Sequence, residues 1–344
     1  MSEQLSEIWQ ISEADFPSAG SPAEKLRFLL SYAVLAPSGH NTQPWLFKII
    51  NDEVELYADR SRALPVVDPE DRALTISCGA ALFHLRIAMK HFGFAGKVEL
   101  LPTADDPDLL ARVSLGEMLQ ASEVEDLLFH AIPRRRANRM PFQDEEVSEQ
   151  SQQAFRDGAA VEGAWLHIVD KGDSKDRVAD LIAEGNRIQA ANRHFRRELA
   201  SWLHPTRSRS RDGMPGYAFG LGDLMSYAGP LLIRTFDWGN GQAAKDRQLA
   251  AGSPVLAVLG TESDGPAEWL RAGQALDRVL LTATANGISA SFLNQPIEVS
   301  ELRPRLADLL DTQGFPQILL RMGYGPAVRP TPRRPVSEVL VETS

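Results

Sequence analysis

The chain has 344 residues, of which 43% are hydrophobic, and a formal net charge of -10 at pH 7, enough length for two domains or one large one with a substantial core. So acidic a balance argues against a general nucleic-acid-binding or anionic-membrane surface. The single cysteine, Cys78, excludes an intramolecular disulfide, the segment "MSEQLSEIWQISEADF" lacks the basic start and apolar centre of a signal peptide, and no apolar run approaches the roughly 20 residues of a membrane helix, so a cytoplasmic protein is expected.

In chain order, "SPAEKLRFLLSYAVLAP" reads as a helix with Ser21 as N-cap, Pro22 in its first turn and Pro37 at its end. "WLFKII" and "EVELYAD" read as strands joined at Asn51 and Asp52, residue types of a hairpin turn. A second helix, "TISCGAALFHLRIAMKHFG", is apolar on most of its circumference and stops at Gly93; the strand "KVELLP" follows. The acidic and arginine-rich stretch from Glu117 to Asn138 reads as the junction between two α+β halves, residues 1–125 and 126–344.

Beyond "PRRRANRMPF" come a helix in "SEQSQQAFRDGA", a strand in "AWLHIVD" and a helical stretch from Lys175 to Leu203. "SPVLAVLGT" reads as a buried strand, and "PAEWLRAGQALDRVLLTATANG" as a long helix with a wide apolar face stopped by Gly287. The strand "SASFLN", a helix near Val299 to Leu310, the strand "PQILLRMGYG" and a proline-broken arm over 328–344 complete the chain. Each half thus carries one wide-faced apolar helix, and such helices are expected to pack on each other. Residues 204–253 mix glycine, proline and arginine with Tyr217, Phe219, Leu221, Leu224, Met225 and Tyr227, and read as a long irregular lid.

Metal-ligand spacing is missing from the histidines; His84 and His91 share a helical face with no evident Cys or carboxylate partner. A nucleophile elbow, a P-loop and a G-x-G-x-x-G are absent as well. What the sequence offers is "PSGHNTQPW", a concentration of amides and hydroxyls between a helix end and a strand, with two arginine clusters, "PRRRANR" and "RPTPRR". Guanidinium forks suit phosphate oxygens, and amides suit a heterocycle edge that alternates donors and acceptors. A flavin or other nucleotide has both features.

"APSGHNTQPWLF" resembles the flavin-edge motif of the nitroreductase superfamily, and "RRRANRMPF" is similar to its phosphate motif. "ISCGAALFHLRIA", "WLRAGQALDRVLLTATANGISASFLNQPIE", "PQILLRMGYGP" and "TPRRPVSEVL" extend the likeness to the fused, two-lobed, Acg-type members. In ordinary members, the resemblance implies, two identical subunits build two FMN sites, each lending the edge motif to its partner's flavin. Here the edge motif occurs only in the first half and the arginine motifs only in the second, which implies one pseudo-dimeric site in a monomeric chain.

Carried over residue by residue, Pro37, Ser38, Gly39, Asn41 and Gln43 would face the flavin ring, and Arg135 and Arg139 would bind its phosphate with Arg333 or Arg334. Leu293, Asn294 and Gln295 would line the ring near its N5 edge, while Ala137 stands where many relatives have Ser or Thr. The resemblance implies ping-pong hydride transfer from NAD(P)H through FMN to a nitroaromatic, quinone or similar acceptor, with no side chain acting as catalyst and no metal. A second reading is an FMN-sequestering protein whose lid denies access to nicotinamide. "TRSRSR" reads as a solvated loop or as a contact for a nicotinamide phosphate.

Overall fold

A computed structural model describes residues 7–220, 223–235 and 237–341; the beginning of the amino-terminal segment, Leu221, the Leu224 side chain and the last three residues of the arm lie outside it. The first helix, α1 (Pro22–Ala33), starts on a reciprocal cap in which Ser21 accepts from the Glu24 backbone N–H and the Glu24 carboxylate accepts from that of Ser21. A two-residue turn joins β1 (Trp45–Ile50) to β2 (Glu53–Ala58), with Asn51 at φ 58°. Next come α2 (Arg72–His91), β3 (Lys97–Leu100), β4 (Leu109–Ser114) and α3 (Glu123–Ala131). The antiparallel order of this sheet is β1-β2-β4-β3.

Strand β4 and helix α3 were not among the sequence expectations. Both had signals: "LLARVS" is a short apolar-rich run, and Ser122 with Glu125 forms a capping box. Leu128, Phe129, Ala131 and Ile132 pack into the apolar cluster of the first half, so the stretch that read as a junction is largely folded structure.

The remaining elements are α4 (Glu149–Val161), β5 (Trp165–Ile168), α5 (Asp173–Ala191), α6 (Arg193–Ser201), β6 (Leu203–His204), β7 (Met214–Pro215), α7 (Asp223–Thr235), α8 (Gly239–Ala251), β8 (Val255–Thr261), α9 (Pro266–Ala285), β9 (Ser289–Phe292), α10 (Gln295–Glu298), α11 (Leu302–Leu309), β10 (Phe315–Gly323) and α12 (Val336–Val339). The helical stretch expected from Lys175 to Leu203 is broken at Asn192, whose side chain accepts from the His194 N–H at 2.9 Å and so caps a new helix.

Residues 204–253 correct the expectation of one long irregular lid. Residues from 223 onward are mostly helical, and α8 lies along α5 so closely that a Cβ on Gly239 would stand 2.8 Å from that of Ala190. Only the part before α7 keeps lid-like irregularity. Tyr217 and Phe219 turn inward, whereas Met225 and Tyr227 are exposed.

The second sheet has the antiparallel order β5-β8-β10-β9. Strand β8 is buried throughout because its alternate residues face different layers: Val255, Ala257 and Leu259 meet α4 and α9, while Leu256 and Val258 meet α5 and α11. The two 20-residue helices, α2 and α9, pack against each other as expected. Their contact depends on glycine: a Cβ on Gly79 would lie 2.4 Å from the Leu270 carbonyl oxygen, and one on Gly273 2.0 Å from that of Ile76.

Two single bridges extend the sheets. Ala137 pairs in parallel with Ala290, setting the arginine segment beside β9. Leu340 pairs in parallel with Phe47, so the arm that leaves the second half ends on the sheet edge of the first. Among the described residues no helix is long and apolar enough to cross a membrane.

Candidate functional site

Helix α1 gives way at Val34 to a loop in which Ser38 Oγ accepts from the Gln43 N–H at 2.9 Å. His40, Asn41 and Gln43 all take positive φ, 49°, 56° and 54°. Such backbone costs of order 1–3 kcal/mol per residue and persists only where surroundings over-determine it. Here the arm and the lid loop supply that determination. Asn41 Nδ2 donates to the carbonyls of Gly213 (2.9 Å) and Pro332 (3.1 Å), and the Gly213 N–H donates back to Asn41 (3.1 Å). Gln43 Nε2 donates to the Arg211 carbonyl at 2.8 Å, and its Oε1 accepts from the Arg334 N–H at 2.7 Å.

Arg333 closes this knot. One of its nitrogens donates to Asn41 Oδ1 (2.8 Å), Thr331 Oγ1 (2.7 Å) and the Pro332 carbonyl (2.9 Å), and the other to the Leu35 carbonyl (3.3 Å). Arg135 reaches the same Leu35 carbonyl at 3.4 Å. Arg136 and Arg333 both lie against the Trp9 ring, at 4.0 and 5.0 Å from its centroid. Burial pulls the Arg135 and Arg333 guanidinium groups below their ordinary range, and the proximity of Arg135 and Arg136 lowers Arg333 further; Tyr217 opposes this at Arg333, and the buried Asp277 at both. Among the described residues neither forms an ion pair, and the Nε atoms of Arg135 and Arg333 are buried without a hydrogen-bond partner.

Buried cations are normally paired. A phosphate dianion has the charge and the oxygen geometry this group lacks, so the residues fit the phosphate of a nucleotide.

Arg139, expected to join Arg135, stands in a second group. It lies over the Phe219 ring at 4.7 Å and beside the Met214 sulfur at 3.4 Å, and burial pushes it down to about 10, opposed by Asp246. Burial, then Arg139, pushes the His40 imidazole down to about 4. Arg321, 1% exposed, projects from β10 into this neighbourhood with Nε and Nη1 unpartnered. A lone arginine inside the apolar strand "PQILLRMG" was the signal for it, whereas nothing in the sequence singled out Trp9.

Leu293 packs in the apolar cluster beneath β8, Asn294 Oδ1 accepts from the Leu319 N–H at 2.9 Å, and Gln295 donates to Asp246 Oδ2 at 3.0 Å. Arg334 binds the carbonyls of Gln43 and Glu338, with Asp59 at 3.6 Å. Pro37 is buried and Gly39 donates to Ser77 Oγ at 3.3 Å. Asn41, Gln43, Arg135, Arg333 and Arg334 are therefore gathered around one loop, while Arg139 and Gln295 share the Asp246 side.

The lid loop is held by Asp212, which accepts from Arg62 Nη1 at 2.8 Å and lies 3.4 Å from His204 Nε2; these neighbours, His204 first and then Ser210 and Arg62, outweigh burial and keep the carboxylate well below the usual range. In "TRSRSR", Arg211 pairs with Glu338 of the arm. The two helical histidines do have carboxylate partners: His84 Nε2 lies 2.7 Å from Asp277, and His91 lies between Asp126 (2.9 Å) and Glu13 (3.0 Å). Among the described residues, no group of His, Cys, Asp and Glu could hold a metal ion.

The chain is 34% identical over 325 residues to a Mycobacterium tuberculosis protein provisionally named NAD(P)H nitroreductase, covering 92% of this chain and 91% of that one. A second M. tuberculosis protein, provisionally named NAD(P)H nitroreductase acg, is 28% identical over 336 residues, 94% of this chain and 97% of the other. Among solved structures, the FMN and NADPH-dependent nitroreductase NfnB from Sphigopyxis sp. overlaps 63% of this chain and 99% of its own at 18% identity and a TM-score of 0.42. No family model matches.

Proposed function

The chain belongs to the nitroreductase superfamily, and from that premise we propose that it is an FMN-dependent NAD(P)H oxidoreductase with one site, built between its two halves. The observation that carries this reading is the group of guanidiniums where the edge loop meets the arm, buried Arg135 and Arg333 with Arg136 beside them, which among the described residues has no carboxylate within ion-pair distance. Arg135 and Arg333 would hold the FMN phosphate, with Arg334 fixing the loop from behind. Pro37, Ser38 and Gly39 would bound the ring on one side, and the segment Leu293 to Gln295 on the other. When bound, FMN supplies the two-electron chemistry, taking hydride from a reduced nicotinamide and returning the electrons, with protons from solvent, to an acceptor such as a nitroaromatic or quinone.

The chain's own contribution is positional. Arg139 and Arg321 set positive charge on the side where Gln295 lies, and their field favours electron density in a ring placed between the two groups. Tyr217, which donates to the Pro330 carbonyl at 2.7 Å, ties the lid loop to the arm and limits water entry. The halves, residues 1–125 and 126–344, are fused, so we take the working form as a monomer in the cytoplasm; light scattering on the eluting peak tests the first point.

An anaerobic titration of the purified protein with NADH and NADPH, followed through the visible flavin absorption, tests the function. A yellow protein that bleaches on addition of either nicotinamide is the expected result. A yellow protein that bleaches only with dithionite would mean that FMN is held without nicotinamide access, and a colourless protein that takes up no added FMN would defeat the reading.

A further inference from the structure

Side-chain amides stand at both sides of the site, and their oxygens are not equally used. Asn41 Oδ1 accepts from Arg333 at 2.8 Å, Gln43 Oε1 from the Arg334 N–H at 2.7 Å, and Asn294 Oδ1 from the Leu319 N–H at 2.9 Å. Gln295 differs. Its Nε2 donates to Asp246 Oδ2 at 3.0 Å and to Asn186 Oδ1 at 3.3 Å, while its Oε1 is buried without a partner.

This orientation is imposed by the neighbours. Asn186 Nδ2 donates to Asp246 Oδ2 at 3.0 Å and to the Ile182 carbonyl at 3.2 Å, which leaves the Asn186 oxygen facing Gln295. The Asp246 carboxylate is itself fixed by a further donor, Gln242 Nε2, at 2.8 Å. Turning the Gln295 amide over would set its oxygen against a carboxylate and another amide oxygen. The backbone is pinned as well, since a Cβ on Gly185 would stand 2.8 Å from that of Gln295. A buried acceptor left unmet is destabilising, because it has given up water without gaining a donor. Strand β9 leads directly to Gln295, and the Ala137–Ala290 bridge keeps that strand beside the arginine segment.

We propose that Gln295 Oε1 is the hydrogen-bond acceptor for the N3–H of the bound flavin ring, and that Asp246 is a positioning residue that keeps the amide's oxygen, not its NH2, turned toward it. This rests on the FMN reading above. Oxidised isoalloxazine carries a single N–H donor, at N3, so an amide acceptor left free at the site of an oxidised flavin has that group as its match. Asn186 serves the same end by closing the alternative orientation.

The test compares FMN with its N3-methylated analogue, which lacks the donor. Both are titrated into flavin-stripped wild type, Gln295→Leu and Asp246→Asn, with binding read from quenching of flavin fluorescence. Wild type is expected to bind the methylated flavin about five- to tenfold more weakly than FMN, the worth of one hydrogen bond. Gln295→Leu should bind the two flavins alike. Asp246→Asn, whose amide lets Gln295 turn over, should lose most of the discrimination. General loosening of the fold would weaken both flavins and preserve their ratio, so a wild-type ratio in Gln295→Leu overturns the proposal, as does a wild type that does not discriminate. Those results leave FMN binding intact; a wild type that binds neither flavin fails the functional reading itself.

Discussion

A guanidinium loses several kcal/mol of hydration on burial and recovers it only from a well-placed anion. Arg135 is 3% exposed, donates among the described residues to the Leu35 carbonyl, and stands near enough to Arg333 to lower that guanidinium. Arg333 differs in that its hydrogen bonds also hold Asn41 in its left-handed conformation. The two therefore separate binding from folding. Arg135→Met is expected to leave the FMN-free protein as stable as wild type, or more stable by about 1 kcal/mol. It should also weaken FMN binding about tenfold or more through loss of a charge-assisted contact. Thermal melts with and without FMN check both parts: the variant's FMN-free melting temperature should not fall, and the upward shift on adding FMN should shrink.

Helices α2 and α9 meet through Gly79 and Gly273, where the obstructing atoms are backbone carbonyls that cannot move aside. Gly79→Ala and Gly273→Ala should each destabilise by about 3 kcal/mol or more in chemical denaturation. Gly241, on α8, has no atom within 4 Å of its ideal Cβ, so Gly241→Ala should stabilise by about 0.5–1 kcal/mol. A second contact between these helices and α4 is ionic. The Glu162 carboxylate accepts from Arg86 at 2.6 Å and from Arg278 at 2.7 Å. Burial would raise its pKa, but the two arginines hold it below the ordinary 4.5. A carboxylate depressed in this way adds stability that is present above its unfolded value and lost as pH falls through the folded one. Glu162→Gln should therefore cost about 3 kcal/mol at pH 7, and the gap from wild type should close as unfolding is measured at progressively lower pH below 4.5.

At the scale of the whole molecule, the arm joins what the sequence separates. It carries Arg333 and Arg334 past the edge loop, accepts the Trp9 indole N–H at the Thr331 carbonyl, and ends with Leu340 paired to Phe47. A chain ending at Ala327 should retain no FMN after gel filtration, and should melt about 5 °C lower because the arm's apolar contacts are lost. The Ser21 cap, the β1–β2 hairpin, the wide apolar faces of α2 and α9 and the buried strand β8 were legible in the residues, because each is set by local propensity or by a period of two or 3.6. The edge motif and both arginine clusters were legible too, as unusual local chemistry. Which arginine stands with which was not: Arg135 joins Arg333, while Arg139 joins Arg321 and Asp246, because the two lie on either side of Ala137, where a single β-bridge fixes the segment against β9. Nor could the sequence tell that Asn41 and Gln43 spend their amides on the lid loop and the arm, or that Gln295 keeps an oxygen free. Composition, periodicity and motif determined most of the elements and drew attention to the candidate site; hydrogen-bond ownership among residues up to 322 positions apart is decided only when the chain closes on itself.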